Sequence, residues 1–176
     1  MMTQKNKILL TIGAIFLLAN QKLFGSAGSS STGMVSYLGQ SNLPRGMRNN
    51  NPGNIRIGAS EWQGKIAIDK NTDGAFEQFV AYPWGVRAMI KLLKDTYMGK
   101  WGLVTIRDII NKYAPSSEND SVAYINTVSN KTGLSPDQTL SPDKTTIKKL
   151  VQAMAKVENG RDAIDSGMFE LGWSLL

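Results

Sequence analysis

Thr146-Ile147-Lys148-Lys149-Leu150-Val151-Gln152-Ala153-Met154-Ala155-Lys156-Val157-Glu158-Asn159-Gly160 is the stretch on which the chain's organisation turns. Ile147, Leu150, Val151 and Met154 recur at helical spacing and form one apolar stripe. Glu158 follows Met154 by four residues, so it prolongs the stripe instead of joining the lysines, and Gly160 supplies a stop. A carboxylate on the buried face of a helix loses hydration, which disfavours its charged form and raises its pKa. A general acid working near neutral pH needs that environment. The same spacing allows a plainer reading, in which Glu158 reaches water at the helix end or pairs with Arg161.

What the chain lacks narrows its chemistry further. It has neither cysteine nor histidine in 176 residues. Disulfides, thiolate or histidine metal sites, Ser-His-Asp triads and Cys-His pairs are therefore excluded. Any hydrolytic chemistry must rest on carboxylates, lysine, tyrosine or serine, with no metal and no cofactor expected. The net charge is +6, of which Lys5, Lys7 and Lys22 supply half, leaving +3 for the remainder. A mild excess suits an anionic surface such as a cell wall. No basic cluster is interleaved with aromatics, so nucleic acid is not an expected partner.

Residues 1–24 begin with Lys5 and Lys7, followed by the apolar run Ile8 to Ala19. This pattern fits a secretory signal, with small residues at Gly25-Ser26-Ala27. It fits equally a short membrane anchor over residues 8–24, with Lys22 at the interface. Residues 25–43, rich in glycine and serine, read as a tether, and the folded domain is expected over 44–176.

Arg48-Asn49-Asn50-Asn51-Pro52-Gly53-Asn54-Ile55-Arg56 is the densest turn signal. Its amides can hold loops or hydrogen-bond sugar hydroxyls. Short strands are expected at 55–58, 65–69 and 76–80, making a small antiparallel sheet with a turn at Asp73-Gly74. Helices are expected from Pro83 to about Tyr97, from Thr105 through Tyr113, from Ser117 to Gly133, from Ser141-Pro142-Asp143 through Glu158, and over 162–175. The class is α+β, mainly α. Glu118 falls in the first turn of its expected helix, where the macrodipole holds it charged. With Glu158 it makes a pair of carboxylates in opposed environments, the pattern of a glycosidase acid and its ionised partner.

The run from Arg48 to Arg56, then Trp62, Phe76-Glu77-Gln78-Phe79 and Gly85-Val86-Arg87-Ala88, resembles a family of phage virion proteins with lysozyme-like domains. Tyr113-Ala114-Pro115-Ser116-Ser117-Glu118-Asn119 with Tyr124, Ile125 and Val128 belongs to the same pattern, and is similar to the closing helix of lytic transglycosylases. Ala153 to Gly160 resembles the segment bearing their catalytic glutamate. The resemblance covers residues 44–160. The order differs: the catalytic helix comes last here, which a circular permutation of the lysozyme-like fold would explain.

The resemblance implies a murein-cleaving glycosidase, a lytic transglycosylase or muramidase, virion-associated and acting in cell-wall penetration during genome entry. It implies that Glu158 is catalytic and that Asn50, Asn51, Tyr113, Glu118 and Tyr124 bind substrate. The expected partners are peptidoglycan glycan strands, a lipid membrane through residues 8–24, and other virion proteins. The expected place is a membrane-anchored position in a virion, or the periplasmic side of the envelope. The alternative is a structural virion protein that binds peptidoglycan without cutting it.

Overall fold

Four helices of this chain open on a threonine or aspartate whose side chain accepts the backbone N–H three residues on. Thr105 caps α3 (Ile106–Tyr113), Asp120 caps α4 (Ser121–Thr132), Asp143 caps α5 (Lys144–Asn159) and Asp165 caps α6 (Ser166–Ser174). Gly133 and Gly160 end α4 and α5 in the left-handed conformation. Upstream lie a single turn, α1 (Arg45–Arg48), and α2 (Tyr82–Lys91), with Pro83 in its first turn. The computed structural model describes residues 33–116 and 120–176. The expected signal or anchor at 1–24, and Glu118, lie outside them. Among the described residues no helix is long and apolar enough to cross a membrane.

Helix α5 meets α1, α2 and α4, and α2 packs along α6. The stripe read from the sequence is the buried face of α5: Ile147, Leu150, Val151 and Met154 are fully inaccessible. They join Phe79, Val86, Met89, Ile90, Ile109, Ile110, Val128 and Phe169 in one core. Each large side chain buried there stabilises the fold by roughly 1.5–3 kcal/mol.

The expected sheet is absent, and the α+β class gives way to an all-helical one. Between Ile55 and Ala81 only two isolated antiparallel bridges form, Arg56 with Phe76 and Lys65 with Phe79. Ile68–Lys70 is a 3₁₀ turn where a strand was expected. The lysozyme-like arrangement built around that sheet, permuted or not, falls with it. The physical reason lies in the side chains. Asn51 Nδ2 donates to the carbonyls of Ile55 and Glu77, and Asn51 Oδ1 accepts from Ile55 N–H. Asn50 Nδ2 donates to Phe79 O, Asn71 Nδ2 to Phe76 O, and Gln78 Oε1 accepts from Thr72 N–H. Asp73 accepts from Ala75 and Phe76. Side chains thus take several of the groups that a longer ladder would pair, while backbone bonds such as Ile57 N–H to Ala75 O and Glu77 N–H to Ile55 O form only the isolated bridges.

Residues 34–43, which composition assigns to the tether, are engaged with the domain. Tyr82 N–H donates to Val35 O, Tyr37 N–H to Asn50 Oδ1, and the Tyr37 ring meets Tyr82 edge-on at 4.9 Å. The compact unit is Met34–Leu176.

Helix α2 does not run on as an α-helix to Tyr97. From Leu92 to Lys100 the chain winds as a π-helix. In an α-helix, residues five apart diverge by about 140°. The i→i+5 winding keeps Leu92 and Tyr97 on one face, and that face borders the cleft described next.

Candidate active site

Glu158 stands in the last turn of α5 and opens onto a cleft of about 470 Å³. Two hydrogen bonds hold its carboxyl: Tyr124 OH donates to Oε1 at 2.9 Å and Asn54 Nδ2 donates to Oε2 at 2.9 Å. Both favour the charged form, but burial outweighs them and pushes the Glu158 pKa up. The pairing with Arg161 that the sequence allows does not form; Arg161 is exposed. The sequence expectation of a carboxyl at the end of an apolar stripe therefore corresponds to a half-buried acid, fixed at both oxygens and facing a cleft.

The rest of the cleft is mixed in character. Trp62, Phe76, Leu92, Tyr97 and Tyr113 give apolar and aromatic walls, and Arg56 and Lys112 bring positive charge. Glu158 is its one carboxylate among the described residues. No cluster of three or more potential metal ligands exists among the described residues.

Tyr113 lines the cleft as expected, but its hydroxyl donates to Gly53 O, so it shapes the wall and fixes the asparagine-rich loop. Tyr124 is buried behind Glu158 and does not line the cleft; its role is to orient the carboxyl. Burial, with the Glu158 carboxyl next in effect, drives both tyrosine pKa values well above the usual range, so both stay protonated donors. Tyr97 stands edge-on to Tyr113 at 6.4 Å and is pushed up to about 12 by burial.

Asn50 and Asn51 are not in the cleft. Both are fully inaccessible, and their amides are committed to Tyr37, Ser36 and Phe79, and to Ile55 and Glu77. Of the two roles the run allows, these residues take the loop-holding one. The amide that reaches the site is Asn54, held at φ 46° in the left-handed region. Nothing in a row of asparagines marks which one turns outward; the left-handed turn after Pro52-Gly53 decides it. Trp62, Tyr97 and Lys112 also line the cleft, and no local pattern in the sequence places them there.

This geometry defines an all-helical domain with a protonatable carboxyl in an aromatic-walled cleft. No family model matches the chain. Over 156 residues it is 38% identical to Protein P5 of Pseudoalteromonas phage PM2, an alignment that spans 84% of this chain and 94% of that protein. The chain belongs to the family of that phage protein.

Proposed function

We infer that the protein is a murein-cleaving glycosidase of a phage particle, a lytic transglycosylase or muramidase, used in penetrating the cell wall during genome entry. One observation carries the reading: a carboxyl with a raised pKa, gripped at both oxygens, faces a cleft whose aromatic walls suit sugar rings. Membership of a phage protein family supports the setting. The reading rests on the site and not on the fold. The apolar run behind Lys5 and Lys7 supports attachment to a lipid bilayer through residues 8–24.

Glu158, whose pKa burial raises, protonates the glycosidic oxygen between the muramyl and glucosaminyl sugars. Tyr124 and Asn54 then stabilise the carboxylate left behind, since both already donate to it. The carboxylate next takes a proton either from the muramyl 6-hydroxyl, giving an anhydro end, or from water, giving a reducing end. One acid serves both steps, which agrees with the single carboxylate among the described cleft residues.

The test is mass spectrometry of purified murein after incubation with the full-length chain and with Glu158→Gln. Anhydro or reducing ends from the parent and none from the variant are expected. Equal product from both sinks the assignment of Glu158; binding with no product from either supports the structural alternative.

A further inference from the structure

A second cleft of about 440 Å³ lies beside the first, lined by Gly39, Ser41, Arg45, Arg48, Asn49, Thr72, Asp73 and Gln78. Nearly every polar group in it is satisfied internally. Arg45 grips Asp73 through Nε at 2.8 Å and a terminal nitrogen at 2.6 Å. Asn49 donates to the same carboxylate, and Gln78 bonds Asn49 and Thr72. Arg48 is the exception: its guanidinium has no ion pair or hydrogen-bond partner among the described residues. The cleft therefore presents one uncompensated positive charge and five N–H donors on a rigid polar wall.

The two clefts adjoin at Phe76. Phe76 lines the first, and the Arg45 and Arg56 guanidinium groups lie 4.4 and 5.3 Å from its ring centroid, Arg45 belonging to the second cleft and Arg56 to the first. The segment Arg48 to Arg56 likewise has one end in each cleft, with Asn54 on Glu158 and Arg48 at the other end.

We propose that the Arg48 cleft binds a carboxylate of the peptide carried by the muramyl sugar while the glycan lies in the Glu158 cleft. The inference rests on the murein reading above. Arg48 brings a single net charge, because Asp73 cancels Arg45, and Asp73 itself would repel a dianion. A monoanionic, planar carboxylate fits that balance better than a phosphate. Both clefts reach the Phe76 side chain, one directly and one through Arg45, and a few residues of extended peptide, at roughly 3.3–3.6 Å each, would pass from one to the other. The protein would thus prefer peptide-bearing strands over stripped ones.

Binding of soluble glycan strands to the full-length Glu158→Gln chain, which leaves substrate intact, tests this by calorimetry at fixed ionic strength. The probes are uncrosslinked glycan strands that carry their peptides, and the same strands stripped of peptide by an amidase. Roughly tenfold tighter binding to the peptide-bearing form is expected, the scale of one charge-assisted hydrogen bond. Adding Arg48→Gln should bring the ratio of the two affinities close to one, and Arg48→Lys should restore part of it. Equal binding of both forms by the Glu158→Gln chain, or an unchanged ratio on adding Arg48→Gln, overturns the Arg48 site and leaves the murein reading standing. Binding to neither form overturns both.

Discussion

Glu158 is a group whose folded-state pKa is raised, so its ionisation opposes folding. The stabilising contribution of the neutral form is complete below the unfolded value and is lost as pH rises through the folded one. Glu158→Gln should therefore melt higher than the parent at pH 7, with the difference vanishing as the pH falls below the usual glutamate range; calorimetry across pH checks this, and a lower melting temperature at pH 7 would contradict it. Catalysis should show the same titration from the other side. As a proton donor, Glu158 should lose activity as pH rises through its raised pKa. Asn54 and Tyr124 both pull that pKa down. Asn54→Ala should thus move the alkaline limb of the pH–rate profile to higher pH, and the Glu158 carboxyl resonance should titrate with it. A limb that moved to lower pH would show that Asn54 acts differently. The α5 stripe left both a buried and a solvated Glu158 open, and its two donors could not be read at all, because Asn54 and Tyr124 approach from 104 and 34 residues away.

The segment between α1 and α2 shows how side chains can replace a sheet. Its composition, with alternating residues and glycine turns, matches strands, yet amides of Asn50 and Asn51 take the Phe79 and Glu77 carbonyls that longer strands would share. Periodicity carries no information about such interception, which is why the sheet was expected and the helices were placed nearly where they lie. Asn51→Ala leaves the Ile55 and Glu77 carbonyls and the Ile55 N–H without that partner. It should destabilise the fold by about 2–3 kcal/mol in urea unfolding; a loss under about 0.5 kcal/mol would mean that the amide is dispensable. Gly85 makes the same loop possible from the helix side, since a Cβ there would sit 1.8 Å from Asn50 O. Gly46 plays a like part on α1. The amide oxygens of Asn54 and Asn159 lack hydrogen-bond donors, and both lie against it, 3.0 and 2.6 Å from where a Cβ would be. Gly46→Ala should press on Asn159 and on the Asn51 backbone carbonyl, 2.6 and 2.9 Å from its Cβ, and so lower the melting temperature in thermal unfolding; an unchanged melting temperature would contradict this.

For the chain taken together, helix α5 organises both the core and the chemistry. Its inner face fills the interior, its last turn carries the acid, and Asn159 beside it ties the loop by donating to Pro52 O at 2.8 Å. The absence of histidine and cysteine already narrowed any hydrolytic chemistry to carboxylates, lysine, tyrosine or serine before any fold was known. The neighbourhood of the acid is another matter, since loop, π-helix and α4 meet there through contacts that no local pattern encodes. The most direct measurement is the product spectrum of purified murein treated with parent and Glu158→Gln chains in parallel. Soluble glycan fragments from the parent, reduced by two to four orders of magnitude in the variant, are the expected result; fragments released at the same rate by both chains would contradict it.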